Sequence, residues 1–431
     1  MTKRPPLGPF RLAVPGLALA LVSLGPAGPG LGAVPPVPER SWPQWRGPLG
    51  TGEAPQADPP VEWSEEKNVA WKVRVPGGGK STPIVWGDAV YLTTAVPKGG
   101  GQEFVVLAYG RADGAVRWRR TVKELVPHEG THEDGSFAAG SALTDGERIY
   151  AFFGSRGLYA LDMDGRVLWE KDLGTMSTRR GFGEGSSPAL HGDTLVVTWD
   201  HEGQDFVVAL DKKTGRERWR QERDEPTTWA TPLVVVHQGK PQVVTNGTTR
   251  IRSYDLASGS LVWQASGMTM NVIPSPVAAD GVVYVTSGFR GSALLAIRLA
   301  EAKGDVTGTP AVAWTYDRDT PYVPSPLLYE DALYFLKSNS AVLTRLDART
   351  GKASFTERLD GMTNVYASPV GAGGRVYVAG RDGVTAVLGA GPEPRVLARN
   401  RLADGFDASP AVVGGEIYLR GYEHLYRISR D

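Results

Sequence analysis

The stretch SPALHGDTLVVTWDHEGQDFVVALDKKTGRERW, from Ser187 to Trp219, contains the unit from which this chain is built. It begins with a Ser-Pro step and an apolar run, and a Gly-Asp turn follows. Two further apolar segments come next, and an acidic turn with a glycine leads to a final Trp. Short apolar segments separated by turn residues are typical of antiparallel strands. The unit therefore predicts one four-stranded sheet whose outermost strand carries a Trp.

The same unit recurs along the chain. The Ser-Pro and Thr-Pro steps of the later copies place prolines at Pro188, Pro232, Pro276, Pro326, Pro369 and Pro410, with spacings of 44, 44, 50, 43 and 41 residues. Ser81-Thr82-Pro83 and Ser141-Ala142 provide two earlier inner-strand signals, which makes eight. A period of this size, with four strand signals in each copy, is typical of propeller blades. We therefore predict an all-β, eight-bladed β-propeller of four-stranded antiparallel blades.

The outermost strands predict how the ring closes. Their positions are marked by Trp71, Trp118, Trp169, Trp219, Trp263, Trp314, Phe355 and Val396. Trp71 precedes the first inner strand, whereas the last unit, from Asp407 to Ile428, has three strand signals and no outer one. We therefore predict that the N-terminal strand around Trp71 pairs with the last blade, which would remove free edges from the ring.

The turn that leads to each Trp has a structural explanation. In ALDKKTGRERW, Asp211 can accept hydrogen bonds from the turn amides, and Gly215 can supply a positive φ. Trp219 can then pack between neighbouring sheets. Trp169 and Trp263 end partial copies of the same element. We interpret all five residues as structural docking residues without a direct chemical role.

Composition restricts the function. The chain has 431 residues with 47 cationic and 47 acidic side chains, and this zero net charge argues against a nucleic-acid partner. It has no cysteine, which excludes disulfides, a lipidated cysteine and thiol catalysis. The repeat predicts a single large propeller domain at residues 63–431, and we expect a monomer.

The N-terminal residues predict export. In residues 1–33, Lys3, Arg4 and Arg11 accompany an apolar run that is too short to span a bilayer, so we expect a cleaved export signal rather than an anchor; a Pro-rich leader is the alternative. Residues 34–62 form a lead-in rich in Pro, Gly and Trp, which we expect to be ordered because its tryptophans would be costly in water. We therefore expect a periplasmic or secreted protein with no membrane span after signal cleavage.

The element A-x-D-x-x-T-G-x-x-x-W, met in full by Ala209, Asp211, Thr214, Gly215 and Trp219, resembles the tryptophan-docking motif of the pyrroloquinoline-quinone (PQQ) type propeller repeat. Together with SWPQWRGP at residues 41–48, it makes the chain similar, over roughly residues 42–430, to exported bacterial proteins with PQQ-binding-like β-propeller repeats. The resemblance implies the propeller fold. It does not single out a function, because the same repeat serves both quinone-dependent alcohol dehydrogenases and the non-enzymatic propeller of the outer-membrane assembly machinery.

Propeller topology places the charged loop residues on one face. Loops between second and third strands, and connections from an outer strand to the next inner strand, lie opposite the docking turns. We predict that this face binds an unknown protein or an anionic small molecule, because arginine favours carboxylate and phosphate groups. Solvated loop charges or ion pairs between blades are the alternative. The predicted residues are Arg180, Glu184, Asp200, His201, Glu202, Arg223, Trp229, Arg250, Asn271, Arg290, Asp317, Asp319, Lys337 and Asp407.

Catalytic residues cannot be assigned from the sequence. Asp200-His201-Glu202, and His128 and His132 with their acidic neighbours, offer metal-ligand types, but adjacent residues seldom all face one ion, so we predict no metal site. The quinoprotein resemblance implies PQQ with calcium, and a cysteine pair that often covers the cofactor is absent here. We therefore expect no cofactor and a non-catalytic binding protein. The alternative is a PQQ-dependent oxidoreductase, and a hydrolase or lyase that uses Asp, His and Arg at the mouth is a third class.

Overall fold

The structure, a computed structural model, describes residues 1–3 and 41–430. Within residues 41–430, eight sheets, antiparallel apart from one parallel pair in blade four, form an eight-bladed β-propeller, as predicted. Inner strands of successive blades contact each other around a central axis. Most of the predicted export signal, residues 1–33, and the start of the lead-in lie outside the described residues.

The first strand is β1 (Val69–Arg74). Blades one and two contain β2 (Ile84–Trp86), β3 (Ala89–Lys98), β4 (Gly101–Gly110), β5 (Val116–Leu125), then β6 (Leu143–Thr144), β7 (Arg148–Phe152), β8 (Leu158–Asp162) and β9 (Val167–Lys171). Blades three and four contain β10 (Ala189–His191), β11 (Thr194–Trp199), β12 (Phe206–Asp211), β13 (Glu217–Glu222), then β14 (Leu233–His237), β15 (Lys240–Thr245), β16 (Ile251–Asp255) and β17 (Leu261–Ala265).

Blade five contains β18 (Val277–Ala279), β19 (Val282–Ser287), β20 (Ala293–Arg298) and β22 (Val312–Tyr316), and β21 (Gly304–Asp305) joins blade four. Blades six and seven contain β23 (Leu327–Tyr329), β24 (Ala332–Leu336), β25 (Val342–Asp347), β26 (Ala353–Arg358), then β27 (Val370–Ala372), β28 (Arg375–Ala379), β29 (Val384–Gly389) and β30 (Val396–Arg401). Blade eight contains β31 (Ala411–Val413), β32 (Glu416–Arg420) and β33 (His424–Ser429). Two 3₁₀ turns lie at Gly154–Arg156 and Arg179–Gly181.

The predicted closure of the ring is confirmed. β1 pairs antiparallel with β33, with Trp71 opposite Arg427 and Arg74 opposite His424. The N-terminal strand is thus the outer strand of blade eight. Since closure joins the two ends of the propeller in one sheet, no blade is left with an unpaired third strand.

The docking turns join each blade to the next. Asp211 Oδ1 accepts hydrogen bonds from the backbone N–H groups of Lys213 and Thr214. Gly215 has a φ of +68°, and a Cβ there would lie 2.8 Å from the ring of Trp169 in the preceding blade. Trp169 Nε1 donates to the carbonyl oxygen of Lys212, 3.0 Å away. The glycine is needed both for the turn conformation and for contact with the neighbouring Trp.

Blade four departs from this arrangement. Its Trp263 is fully buried, and its Nε1 donates within the blade to Gln242 Oε1 at 3.3 Å. The short strand β21 pairs in parallel with β17, with Gly304 opposite Trp263. An inserted segment from the following blade therefore covers this Trp in place of a docking turn.

The Ser-Pro and Thr-Pro steps form a ring of hydrogen bonds around the axis. In seven successive junctions the backbone N–H of one blade donates to the side-chain Oγ of the equivalent residue in the next, at 2.9 or 3.0 Å. The residues of this hydroxyl ring are, in order, Thr82, Ser141, Ser187, Thr231, Ser275, Ser325, Ser368 and Ser409. A hydroxyl is required because each of these backbone N–H groups is buried and has no carbonyl acceptor within a sheet, so the side-chain oxygen serves as its acceptor.

The lead-in crosses the axis on the docking-turn side. Trp42 is fully buried and exchanges backbone hydrogen bonds with Val85 in blade one. Arg46 Nη2 donates to the carbonyl oxygens of Pro326 and Pro369, each 2.9 Å away, in blades six and seven. Gly371 donates to the carbonyl oxygen of Gly52 at 3.0 Å. The lead-in therefore closes this end of the central channel.

Candidate binding site

A cavity of about 410 Å³ lies on the axis, on the face opposite the docking turns. Its bottom is formed by Trp45 of the lead-in and by hydroxyl-ring residues such as Ser325 and Ser368. Trp45 Nε1 donates to Ser275 Oγ at 3.2 Å, which fixes the indole beneath the cavity. Residues of the propeller form the walls of the cavity, and Trp45 of the lead-in limits its depth. A volume of this size is within the range of small-molecule sites.

One side of the cavity is an aromatic wall formed by Phe182, Trp229, Phe289 and Tyr322. Phe289 and Tyr322 stack with ring centroids 4.7 Å apart, and Phe182 and Trp229 have centroids 6.5 Å apart. Trp229 Nε1 donates to the carbonyl oxygen of Gly183 at 2.7 Å. All four rings are partly exposed, so they offer apolar surface to an occupant.

A second side of the cavity is a charged cluster formed by Lys80, Asp134, Tyr366, Arg381 and Asp407. Lys80 Nζ lies 2.5 Å from Asp407 Oδ2, and Arg381 Nε lies 2.9 Å from Asp407 Oδ1. Arg381 Nη2 also lies 2.6 Å from Asp134 Oδ1, and the Tyr366 hydroxyl donates to Asp134 Oδ2 at 3.1 Å. The cluster joins loops of separate blades through charge-assisted hydrogen bonds.

Three members of the charged cluster, Asp134, Arg381 and Tyr366, have shifted pKa values. Burial acts to raise the pKa of Asp134, but the hydrogen bond and charge of Arg381 outweigh it and hold that pKa below its ordinary value. Burial acts to lower the pKa of Arg381, whereas hydrogen bonds to Tyr422 and Asp134 and the charge of Asp407 raise it above its ordinary value. Burial and the Asp134 carboxylate raise the pKa of Tyr366 to about 12, so its hydroxyl remains a donor.

Three of the predicted face residues line the cavity, namely Glu184, Trp229 and Asp407. Glu184 is almost fully buried, and its Oε1 lies 2.7 Å from Nη1 of Arg156. The hydroxyl and backbone N–H of Ser155 donate to the same carboxylate. Glu184 is therefore held inside the protein by groups of the preceding blade.

A second group of predicted residues forms a buried network between blades three and four. Arg223 Nε lies 2.7 Å from Asp200 Oδ1, and both side chains have no exposed surface. His201 is buried, and its Nδ1 accepts hydrogen bonds from the backbone N–H groups of Ser177 and Gly203, each at 3.1 Å. None of these three predicted residues lines the cavity. Their partners explain them as supports of the loops, because a buried ion pair leaves no free charge for a ligand.

The other predicted residues lie outside the cavity. Glu202 accepts hydrogen bonds from Thr227, the Arg250 guanidinium donates to Ser266, and Asp319 lies 2.9 Å from Lys337 Nζ. Ion pairs and loop contacts therefore account for these residues. The remaining members differ in exposure: Asn271 is buried, and Arg180, Asp317 and Arg290 are exposed. A shared anion-binding surface stays a prediction.

Sequence reasoning missed several residues that line the cavity or brace its wall. Lys80 and Tyr366 each lie two residues before a hydroxyl-ring residue, Thr82 and Ser368, and Phe289 lies in a loop between second and third strands. A search for large side chains just before each Ser-Pro step would have found Lys80 and Tyr366. Arg381 had no such signal, because its role depends on a contact between loops distant in sequence.

One acidic group could be considered for a metal. The ligand atoms of His132, Glu133 and Asp134 lie within 4.8 Å of one another in the described part of the chain. Both Asp134 oxygens, however, already bond to Arg381 and Tyr366. A nearby guanidinium opposes cation binding, so this group carries no metal-site assignment.

Fold and site together define an eight-bladed propeller with a ligand-sized cavity at one mouth and a lead-in that closes the other. Residues 61–181, 164–301 and 206–431 match the profile of the family described as outer membrane protein assembly factor BamB, and the chain belongs to this family of PQQ-like repeat propellers. No curated protein matches the sequence significantly.

Solved structures share the fold at low sequence identity. BamB from Moraxella catarrhalis has 16% identity and a TM-score of 0.58, and the match covers 84% of this chain and 99% of that one. A europium-containing methanol dehydrogenase has 12% identity and a TM-score of 0.65, with 90% of each chain covered. The quinohemoprotein alcohol dehydrogenase from Comamonas testosteroni has 12% identity and a TM-score of 0.65, covering 90% of this chain and 80% of that one. These similarities establish the fold and leave the function open.

The cavity can be compared with the requirements of PQQ, a tricarboxylate quinone that the resemblance implies. Calcium prefers several oxygen ligands, including carboxylates and amides. Among the described residues, no Asn or Gln lines the cavity, and the carboxylates of Asp134, Glu184 and Asp407 are already paired with cations. Lys80, the lining cation, is paired as well. The residues that line this cavity therefore do not fit PQQ with calcium.

No helix in the part of the chain that the structure describes is long and apolar enough to cross a membrane.

Proposed function

We propose that this protein is an exported, non-catalytic β-propeller that binds a ligand or an extended segment of a partner protein in the axial cavity. The observation that carries the proposal is the cavity itself, with an aromatic wall, a polar bottom and charges that are all paired within the protein. Preformed, mostly apolar cavities with a few polar groups are the usual form of binding sites.

Pairing of the charged groups supports binding over catalysis. A general base needs a proton acceptor that can reach the substrate and titrate near the working pH. Asp407 accepts from Lys80, Arg381 and Tyr422, and its side chain is 3% exposed. Asp134 is engaged by Arg381 and has a lowered pKa. Carboxylates held in this way are suited to fixing loop positions, so the PQQ-dependent oxidoreductase is the weaker candidate.

Localisation belongs to the same proposal. The family profile is described as an outer membrane protein assembly factor, and residues 1–33 have the pattern of an export signal. The absence of cysteine is compatible with a periplasmic or secreted protein that depends on packing for its stability. Western blotting of periplasmic, membrane and medium fractions would test this, and retention in the cytoplasm would contradict it.

Binding in the cavity can be tested without knowing the natural ligand. Saturation-transfer NMR with a cocktail of small neutral aromatic and heteroaromatic fragments should detect weak binders of the wild-type protein. Phe289→Ala removes one ring of the aromatic wall and should reduce the signals severalfold. Trp86→Ala is the matched control, because Trp86 is a half-buried aromatic on the opposite face. Equal loss of the signals in both variants would contradict binding in the axial cavity.

A separate measurement distinguishes catalysis. The protein is incubated with PQQ and calcium chloride, desalted, and assayed for visible absorbance and for ethanol-dependent dye reduction. We expect neither retained chromophore nor dye reduction. Retained PQQ together with dye reduction would instead favour the oxidoreductase.

A further inference from the structure

We infer that the guest of the axial cavity is a neutral, hydroxyl-rich ring molecule, that is, a short saccharide. This inference rests on the proposed binding function and specifies its ligand. It follows from three independent features of the cavity, namely balanced charge, unused hydrogen-bonding capacity and the aromatic wall.

Charge is balanced around the cavity. The lining carboxylates are Asp134, Glu184 and Asp407. They are paired with three cations, Lys80, Arg381 and Arg156. An anionic guest would have to compete with these carboxylates for cations that are already engaged, and a cationic guest would have to displace an internal cation. A neutral guest requires neither exchange.

Hydrogen-bonding capacity nevertheless remains in the charged cluster. An ammonium group has three donors, and Lys80 uses two of them on Asp407 Oδ2 and the carbonyl oxygen of Asp134. A carboxylate has about four acceptor positions. Asp407 uses three of these, on Lys80, Arg381 and Tyr422, and Asp134 uses two, on Arg381 and Tyr366. The cluster can therefore both donate to and accept from a guest, as sugar hydroxyls require.

The bottom of the cavity adds further donors. The hydroxyl oxygens of Ser141, Ser187, Thr231, Ser325 and Ser368 each accept a backbone N–H from the preceding blade. Acceptance leaves the hydrogen of each hydroxyl to be donated in another direction. These five residues line the cavity and are arranged around its axis. They complement the oxygen atoms along the edge of a sugar ring.

The aromatic wall completes the match. A pyranose ring has an apolar face of C–H groups and a rim of hydroxyls, so one molecule can pack against Phe289 and Trp229 and also meet the polar groups. A purely aromatic guest would bury the charged cluster without using its remaining donors and acceptors, which is unfavourable. The volume of about 410 Å³ accommodates a short saccharide rather than a long chain.

The test uses the purified full-length protein and a defined panel of probes: cellobiose, maltotriose, xylobiose, N,N′-diacetylchitobiose and, as the acidic member, digalacturonic acid. Binding is measured by saturation-transfer NMR and titration calorimetry. We expect at least one neutral member to bind, with affinity at least tenfold weaker in Phe289→Ala and Trp229→Ala and unchanged in Trp86→Ala. Melting curves of each variant establish that it is folded, and Phe289→Ala serves if Trp229→Ala is unstable.

The outcomes separate this inference from the proposed function. If aromatic fragments bind in the cavity and no neutral saccharide of the panel does, the saccharide inference is wrong and the binding function stands. Stronger binding of digalacturonic acid than of every neutral member also overturns it, provided that Phe289→Ala weakens that binding and so locates it in the cavity. If neither fragments nor saccharides bind, the binding function itself fails.

Discussion

Trp71 Nε1 donates a hydrogen bond to the carbonyl oxygen of Arg111, 3.0 Å away, and this contact joins the last blade to the first. A Cβ at Gly114 of the same turn would lie 2.9 Å from the Trp71 ring. Trp118 and Trp169 dock on the turns of their following blades in the same manner. The closure of the ring is therefore a regular docking contact, made by a strand from the opposite end of the chain.

Trp71→Ala should destabilise the closure as strongly as Trp118→Ala destabilises an internal junction. Each change removes a large aromatic side chain from between two sheets, at a cost of roughly 3–5 kcal/mol. Thermal unfolding measures the loss, and hydrogen exchange should rise in β1 and β33 for Trp71→Ala. An unchanged melting temperature in Trp71→Ala, with a lowered one in Trp118→Ala, would show that the ring does not depend on this contact.

Gly259→Ala should be more destabilising than Gly239→Ala. Both glycines have a φ of +75°, so both substitutions carry a similar backbone penalty. An added methyl group at Gly259 would lie 2.6 Å from the Trp219 ring, whereas at Gly239 nothing lies within 4 Å. Overpacking of this kind costs roughly 1–3 kcal/mol. Chemical denaturation of both variants measures the difference. Equal stabilities would mean that the Trp219 ring shifts to accommodate the methyl group without lowering the free energy of unfolding.

The fold could be predicted because each blade repeats a local pattern. The apolar strands, the turn at Asp211–Gly215 and the Trp that follows depend on neighbouring residues, so a single copy reveals the unit. The count of inner and outer signals also fixed the pairing of the strand around Trp71, because a closed ring needs equal numbers. Trp263 was interpreted as an ordinary docking residue because β21, which covers it, has no pattern within the repeat.

The site was harder to predict because topology assigns a residue to a face and does not determine its partners. Arg223 and Asp200 lie in loops on the expected face, but they pair with each other inside the protein. Lys80 and Asp407 are distant in sequence and meet because ring closure places blade one beside blade eight, where Arg381 of blade seven also contacts Asp407. The sequence could therefore identify the charged loops, but not which charges remain free.

Arg46→Met should loosen the lead-in. Burial lowers the pKa of Arg46 to about 9, and its Nη2 donates to carbonyl oxygens in blades six and seven. Methionine fills similar space but leaves buried carbonyl groups without a donor, at a cost of roughly 1–3 kcal/mol each. Hydrogen exchange of residues 41–52 should accelerate, and the melting temperature should fall. Lys67→Met, at an exposed site, is the control. Unchanged exchange in Arg46→Met would show that this arginine does not hold the segment.

Replacing both Arg250 and Arg290 with Ala tests the anionic-guest hypothesis. Arg290 is exposed, Arg250 contacts Ser266, and neither lines the axial cavity. We expect the melting curve to remain nearly unchanged. Digalacturonic acid binding to the wild type, lost in the double variant, would support a separate anion-binding surface on this face. Retained binding of a neutral saccharide in the same variant would show that this guest does not depend on the two arginines.

Glu416→Gln should change how stability depends on pH. Glu416 of β32 lies 2.7 Å from Arg111 Nε in blade one and 2.5 Å from Arg427 Nη2 in β33. Burial acts to raise its pKa, but hydrogen bonds from Tyr418 and Arg111 outweigh this and hold the pKa below its ordinary value. A carboxylate with a lowered pKa in the folded state stabilises it above the unfolded pKa, roughly 4.3 for Glu, and this contribution disappears as the pH falls through the folded pKa.

At pH 7 the free energy of unfolding of the wild type should therefore exceed that of Glu416→Gln by roughly 3 kcal/mol. The reason is that the variant leaves two partly buried arginines without their carboxylate. The difference should shrink steadily when the pH is lowered from 5 to 3, since protonated Glu416 resembles glutamine. Calorimetric melts across this range measure it, with the exposed Glu66→Gln as the control. A difference that stays constant down to pH 3 would mean that the ion pairs do not contribute to closing the ring, and that Glu416 acts through packing alone.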